Sequence, residues 1–243
     1  MLVLNSCQLP VAFSAAFLLL FNNRRKEVTM KHSQLGRSMI EMLGVLAIIA
    51  VLSVGGIAGF SKAMEKYKTT KLMNEYSELI RNLLEYRPNF EKILNIKGSI
   101  NLNREMFDIG ALPSNWSVPY SNNVYISDSR ENFLTIQWVC STPDSCSYAI
   151  SVFIGQNKVS YKEKPSYKKL CTSFFLDIIQ PLHQTLIAGR GAWAFGGNAK
   201  PYYGDAYCDG KKKLCLRDMT LNDIKSTCDS CDIAGLCILS LNF

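Results

Sequence analysis

The chain has 243 residues, 48% hydrophobic and 19% charged, with 27 Lys and Arg against 20 Asp and Glu for a net charge of +7. That length supports one or two domains with a hydrophobic core, and that apolar content excludes a disordered chain. The 15 glycines and 8 prolines exclude collagen-like sequence. The basic residues are too scattered to form a nucleic-acid footprint, so no specific nucleic acid is expected as a partner.

In chain order, the first apolar run is Pro10 to Phe21, 12 residues long. It is too short for a confident membrane span, and it lacks a small-residue cleavage site, so it makes a poor signal peptide. Met30 follows, then the short polar, basic stretch Lys31-His32-Ser33-Gln34-Leu35-Gly36. The expectation is that translation starts at Met30 and that residues 1–29 are not part of the made protein.

The second apolar run, Met42 to Ser61, holds 20 residues without a charge. As a helix at 1.5 Å per residue it covers about 30 Å, the hydrocarbon thickness of a bilayer. A single membrane span over 42–61 is therefore expected rather than a buried core helix. Immediately before it stands Gly36-Arg37-Ser38-Met39-Ile40-Glu41. A carboxylate at the head of a span costs roughly 3 kcal/mol without a partner. Taken alone, Glu41 is explained equally well as an ordinary interfacial Glu at a helix N-terminus, whose dipole favours negative charge.

Taken together, a basic leader, a Gly, a Glu five residues on and about 20 apolar residues resemble the N-terminus of the type IV prepilins. The resemblance covers roughly residues 30–87. It implies that a membrane prepilin peptidase cuts between Gly36 and Arg37 and methylates the new amine. Residues 1–36 are then the leader, and Glu41 is the fifth residue of the mature chain. The family usually carries Phe, Met or another apolar residue where this chain has Arg37. The resemblance also implies that Glu41 pairs with the N-terminal amine of a neighbouring subunit. A charge pair in an apolar setting is strongly oriented, so it would set register while apolar helix packing supplies most of the stability.

Helical patterning continues past the span to Arg87, where Pro88 is expected to end it. Residues 37–87 then form one long helix of roughly 75 Å. Phe60, Ala63, Met64 and Tyr67 fall on one side of it. Leu72, Met73, Tyr76, Leu79, Ile80, Leu83 and Leu84 fall nearly opposite, and the stripe changes side across Lys68–Lys71. A coiled coil keeps one stripe, so two different partners are implied: other subunits for the front half, the chain's own head for the back half. The glycines Gly55, Gly56 and Gly59 weaken the span's helix, and local unwinding there in a filament is expected.

Residues 88–243 are read as a globular head. Phe133–Cys140 and Cys146–Ile154 alternate as strands around the turn Ser141–Ser145, making a hairpin. Tyr167 to Ala188 is apolar at helical spacing as far as Pro181. Gly189–Gly204 is read as loop, in which the aromatics around Trp193 and Tyr202-Tyr203 are either an adhesive patch or ordinary loop packing. A tight turn is expected over Cys208–Cys215, with Lys211–Lys213 solvated. A short helix capped within Asp218-Met219-Thr220 and running to Ser226 follows, then a final strand Leu236–Phe243. The fold class is α+β: a long N-terminal helix, transmembrane in its first half, packed on a mostly antiparallel sheet, with a disulfide-rich C-terminal region. The order of strands, helix and cysteines resembles the class b type IV pilins.

Of the nine cysteines, Cys7 lies in the part to be removed. Cys140, Cys146, Cys171, Cys208, Cys215, Cys228, Cys231 and Cys237 all lie beyond the span, an even set suited to disulfides. Cys140–Cys146 and Cys208–Cys215 are the first choices. Cys171 then pairs with one of Cys228, Cys231 and Cys237, and the other two pair together. The CxxC at Cys228–Cys231 lacks the four-ligand array of a zinc site and the βαβ context of a redox pair, so neither metal nor cofactor is expected. His32 and His183 are the only histidines, and no GxSxG, Walker, HExxH or EF-hand pattern occurs, so no enzyme is expected.

The resemblance thus implies a structural subunit whose partners are copies of itself, a prepilin peptidase, pilus or type II secretion machinery, and the bacterial inner membrane before assembly. It is then expected in a periplasmic or surface filament. A major pilin, a minor pilin and a type II secretion pseudopilin share every one of these features. A periplasmic binding domain on a membrane anchor, never polymerising, is the alternative from another class. Removing residues 1–36 takes away four basic residues and one acidic residue, so +7 becomes +4.

Overall fold

The computed structural model describes residues 35–93, 98–118, 125–142, 145–155, 167–191, 200–234 and 237–243. Residues 1–34, Cys7 among them, and residues 192–199, with Trp193, lie outside the described residues. The chain divides into two compact units between Phe60 and Ser61.

The apolar run and the helical patterning behind it yield α1, Leu35–Ile93, in spite of Gly55, Gly56, Gly59 and Pro88. Its stretch in the first unit has no buried side chain among those described: Val51 is 73% and Leu52 69% exposed. Ser53, a polar intruder in this stretch, turns its hydroxyl back to the carbonyl of Ile49 at 2.8 Å. This is the local way to satisfy a serine in an apolar helix.

In the second unit the picture inverts. Leu72, Leu79 and Leu83 are at most 1% exposed, as is Tyr76. These positions lie on one face at helical spacing, as the stripe requires. The helix does not stop at Arg87. Pro88 lies inside it, and the helix continues to Ile93. A mid-helix proline costs about 3 kcal/mol through a lost hydrogen bond and a ring clash. Phe90 packs beyond it edge-on to Tyr148, with ring centroids 6.2 Å apart, so the helix carries a core contact past the proline.

The sheet under α1 contains, among the described residues, seven strands: β1 Gly98–Asn101, β2 Ile126–Ser127, β3 Phe133–Thr142, β4 Ser145–Ile154, β5 Ala188–Arg190, β6 Tyr202–Tyr203 and β7 Cys237–Asn242. The order is β1-β3-β4-β7-β5-β6, with β2 also on β3, and every strand pairing is antiparallel. In the central hairpin Leu134 faces Val152, Ile136 faces Ile150 and Trp138 faces Tyr148. Leu239 and Leu241 of β7 extend the same row. All of these are buried, and the alternate residues other than Thr135 are half-exposed, the period-2 pattern of a sheet covered on one face. The long helix and the antiparallel sheet are compatible with the expected α+β class.

Five short elements, β2 among them, were not expected from the sequence. Strand β1 and helix α2, Asn103–Asp108, fall in the stretch after Pro88. Helix α2 ends at Gly110, whose φ of +71° lets the Gly110 N–H reach the Phe107 carbonyl and the Ala111 N–H reach that of Met106. Strands β5 and β6 lie at the two ends of the segment read as loop. The Ala188–Arg190 segment is strand because the outer edge of β7 is open to it, not because of its own alternation.

Helix α3, Tyr167–Phe174, passes directly into a π-helical turn, Phe175–Ile179. A 3₁₀ turn over Leu216–Asp218 precedes α4, Leu221–Ala234. Thr220 caps α4. The Asp223 carboxylate accepts from the Thr220 N–H at 2.9 Å, and the Thr220 hydroxyl accepts from the Asp223 N–H at 3.2 Å. This is a capping box. The helix runs on past Ser226 to Ala234 because Cys228 and Cys231 are buried on its inner face.

Candidate assembly site

The junction Gly36-Arg37-Ser38-Met39-Ile40 lies in the opening turns of α1. Glu41 follows in the same helix and is exposed. An exposed carboxylate there is free of any burial cost and open to a partner from outside the chain. Behind it comes the apolar stretch, none of whose described side chains is buried. Among the described residues it is the one helix long and apolar enough to cross a membrane. The side chains that the sequence places on the front stripe remain uncovered: Phe60 is 65% and Tyr67 64% exposed. In the second unit the opposite stripe is fully used.

What holds the back half of α1 in place is polar as well as apolar, and the sequence reading did not identify it. Glu75 is 7% exposed and accepts hydrogen bonds from Asn115 Nδ2 at 2.8 Å, Trp116 Nε1 at 3.0 Å and the Ser129 hydroxyl. Burial pushes the Glu75 carboxyl up. The bonds from Ser129, Trp116 and Asn115, with the charge of Lys71, outweigh that and hold it below the ordinary value. Next to it the Tyr76 hydroxyl donates to Asp128 Oδ2 at 3.0 Å. Asp128 also accepts from the backbone N–H groups of Arg130 and Asn132, at 2.8 and 2.9 Å. Here burial wins, and the Asp128 carboxyl sits above its ordinary value despite these bonds. Arg130 reaches back to α1, 2.7 Å from Glu65 and 3.2 Å from the Thr69 hydroxyl. The 128–132 turn is thereby clamped along three turns of α1. The sequence signal for it was a Glu placed on the apolar stripe, at position 75 between Leu72 and Leu79.

The eight cysteines beyond the apolar stretch form four disulfides. Cys140–Cys146 joins directly opposed residues of β3 and β4, with Cα atoms 4.0 Å apart. Cys208–Cys215 closes the basic turn. Within it Asp209 Oδ1 accepts the N–H groups of Lys211, Lys212 and Lys213, each at 2.8 Å. Cys171–Cys228 ties α3 to α4 across 57 residues, and Cys231–Cys237 ties the end of α4 to the start of β7. Both short pairs are those expected, and Cys171 selects Cys228 from the three left open. The CxxC cysteines bond to different partners rather than to each other. The sulfurs of Cys171, Cys231 and Cys237 lie within 4.8 Å of one another, all buried. Each is spent in a disulfide, so the cluster offers no thiolate as it stands.

His183 is half-buried and joins the turn after α3 to the 204–208 turn, its Nδ1 lying 2.9 Å from Asp205 Oδ2. In comparisons with protein-family models, curated proteins and solved structures, nothing matches this chain.

Proposed function

We propose that the chain is a structural subunit of a type IV pilus or pilus-like filament. It is made as a prepilin, held by residues 42–61 in a bacterial inner membrane, cleaved between Gly36 and Arg37, and polymerised through the front half of α1. The observation that carries this reading is the junction Gly36 to Glu41 set against 20 uncharged residues. The division of labour along α1 supports it. The front stripe has no partner within the described chain, while the back stripe is consumed by the head. Glu41 would meet the amine of a neighbour's Arg37 and set axial register, since a misplaced subunit leaves two charges unpaired in an apolar core. The disulfides would brace a head that faces an oxidising compartment and, in a fibre, mechanical load.

Intact-mass measurement of the protein from membranes and from sheared surface fibres tests the reading. The expected chain starts at Arg37 and carries one methyl group. Its four disulfides leave it about eight hydrogens lighter than the reduced form. A chain in fibres that still carries residues before Arg37 overturns it. The same measurement separates the pseudopilin or minor-pilin reading, in which the processed chain is found but long, abundant fibres of it are not. An unprocessed chain that stays monomeric under crosslinking favours an anchored binding domain.

A further inference from the structure

A groove of about 700 Å³ opens in the second unit between α1, the 128–132 turn and α3. Three separate elements aim cations at it: Lys62 and Lys66 from α1, Arg130 from the turn and Lys169 from α3. The acids of its lining are Glu65 and Asp177. Glu65 is taken up by Arg130 at 2.7 Å, so the lining keeps an excess of two positive charges. Lys62, Lys66 and Lys169 are exposed and have no ion-pair partner among the described residues. Lys62 and Lys66 also stand one turn apart on α1, an arrangement that repels itself unless an anion bridges it.

The position of this groove on the chain says which anion. Lys62 is the first residue after the uncharged run that ends at Ser61. At 1.5 Å per residue, Lys62 and Lys66 lie about 2 and 8 Å past the end of that run. A bilayer adds roughly 5–8 Å of headgroup to each side of its hydrocarbon core. Both ammonium groups thus fall at the depth of lipid phosphates, where a basic cluster is drawn to anionic lipid. We propose that this groove binds the phosphate headgroup of an anionic phospholipid while the subunit waits in the membrane. The inference rests on the membrane-held state proposed above, and it adds a specific ligand to it. Release into a filament would then require giving up this lipid contact as well as the apolar one.

The test uses the full chain, extracted from membranes in mild detergent and examined by native mass spectrometry. Phosphatidylglycerol and phosphatidylethanolamine are added in equal amounts. A preference of at least tenfold for phosphatidylglycerol is expected. The variant Lys62→Gln/Lys66→Gln/Lys169→Gln should lose that preference, whereas Lys211→Gln/Lys212→Gln/Lys213→Gln, on the exposed turn, should keep it. Arg130 is left intact because it clamps the turn to α1. Equal retention of the two lipids, or an undiminished preference in the first variant, overturns the proposal. So does full displacement of the lipid by millimolar inorganic phosphate, which would assign the groove to a soluble anion. Carbonate extraction of the same membranes reads the span separately. A chain washed out by carbonate sinks the membrane-held state itself, whereas an embedded chain without lipid preference sinks only the groove.

Discussion

Glu75 on α1 and Asp128 packed beneath that helix have opposite electrostatic character, because burial outweighs the hydrogen bonds at Asp128 and is outweighed by them at Glu75. Glu75 is held below its ordinary value, so its stabilising effect is present above the usual carboxylate range and is lost as pH falls through its folded value. Asp128 is held above its ordinary value. Its contribution is complete below the unfolded value and is lost as pH rises through the folded one. Glu75→Gln should therefore flatten the acid limb of stability against pH, and Asp128→Asn should flatten the rise in cost toward neutrality. Urea midpoints measured between about pH 3 and pH 7 check both slopes. Glu75→Ala, which strands the Trp116 and Asn115 donors, should cost about 3 kcal/mol. Glycines give a second residue-scale contrast. A Cβ on Gly204 would come within 1.7 Å of the Leu186 carbonyl oxygen, a backbone atom that cannot step aside. A Cβ on Gly110 meets nothing within 4 Å and suffers only from the positive φ. Gly110→Ala should cost about 1 kcal/mol and Gly204→Ala clearly more, as read from thermal midpoints.

Single elements show two kinds of burden. Helix α1 is stabilised in its second half by tertiary burial, so Leu79→Ala should destabilise the head by about 3 kcal/mol. Leu52, 69% exposed, should leave head stability unchanged when cut to Ala, whereas the proposed function expects fewer fibres. Denaturant titration and fibre yield, measured on the same pair of variants, separate the two. Among the disulfides, loop length ranks the effects. Cys171–Cys228 spans 57 residues and Cys208–Cys215 seven. On the chain-entropy argument the first is worth about 4 kcal/mol and the second about 2. Replacing Cys171 and Cys228 together by Ser should shift the urea midpoint about twice as far as replacing Cys208 and Cys215.

For the molecule as a whole, the break between Phe60 and Ser61 separates an exposed apolar segment from a unit with its own core. A chain beginning at Ser61 should fold alone, stay monomeric and keep all four disulfides, as gel filtration and thiol titration would show. Much of the head was legible beforehand. The hairpin carried alternation in Phe133–Cys140 and Cys146–Ile154, and the turn between them could hardly be anything else. The paired stripes on α1 were legible for the same reason, since a period of 3.6 survives whatever packs on it. The short edge strands were not, because Ala188–Arg190 and Tyr202–Tyr203 are strand only by virtue of the neighbour they pair with. Nor was the clamp of the 128–132 turn, whose hydrogen bonds join three segments far apart in the chain: α1, Asn115-Trp116 and the turn itself.

By itself the sequence determined the apolar run, the charged junction before it, the two faces of the long helix and an even set of cysteines beyond it. These are properties of spacing and composition, which need no partner to be read. Tertiary structure alone decided that α1 continues through Pro88, beyond which Phe90 meets Tyr148 of the sheet. It alone chose Cys228 for Cys171, because α3 and α4 lie together, and it alone converged Lys62, Lys66, Arg130 and Lys169 on one groove. Such choices depend on which distant segments meet, and burial and chain connectivity settle that only once the whole head has folded.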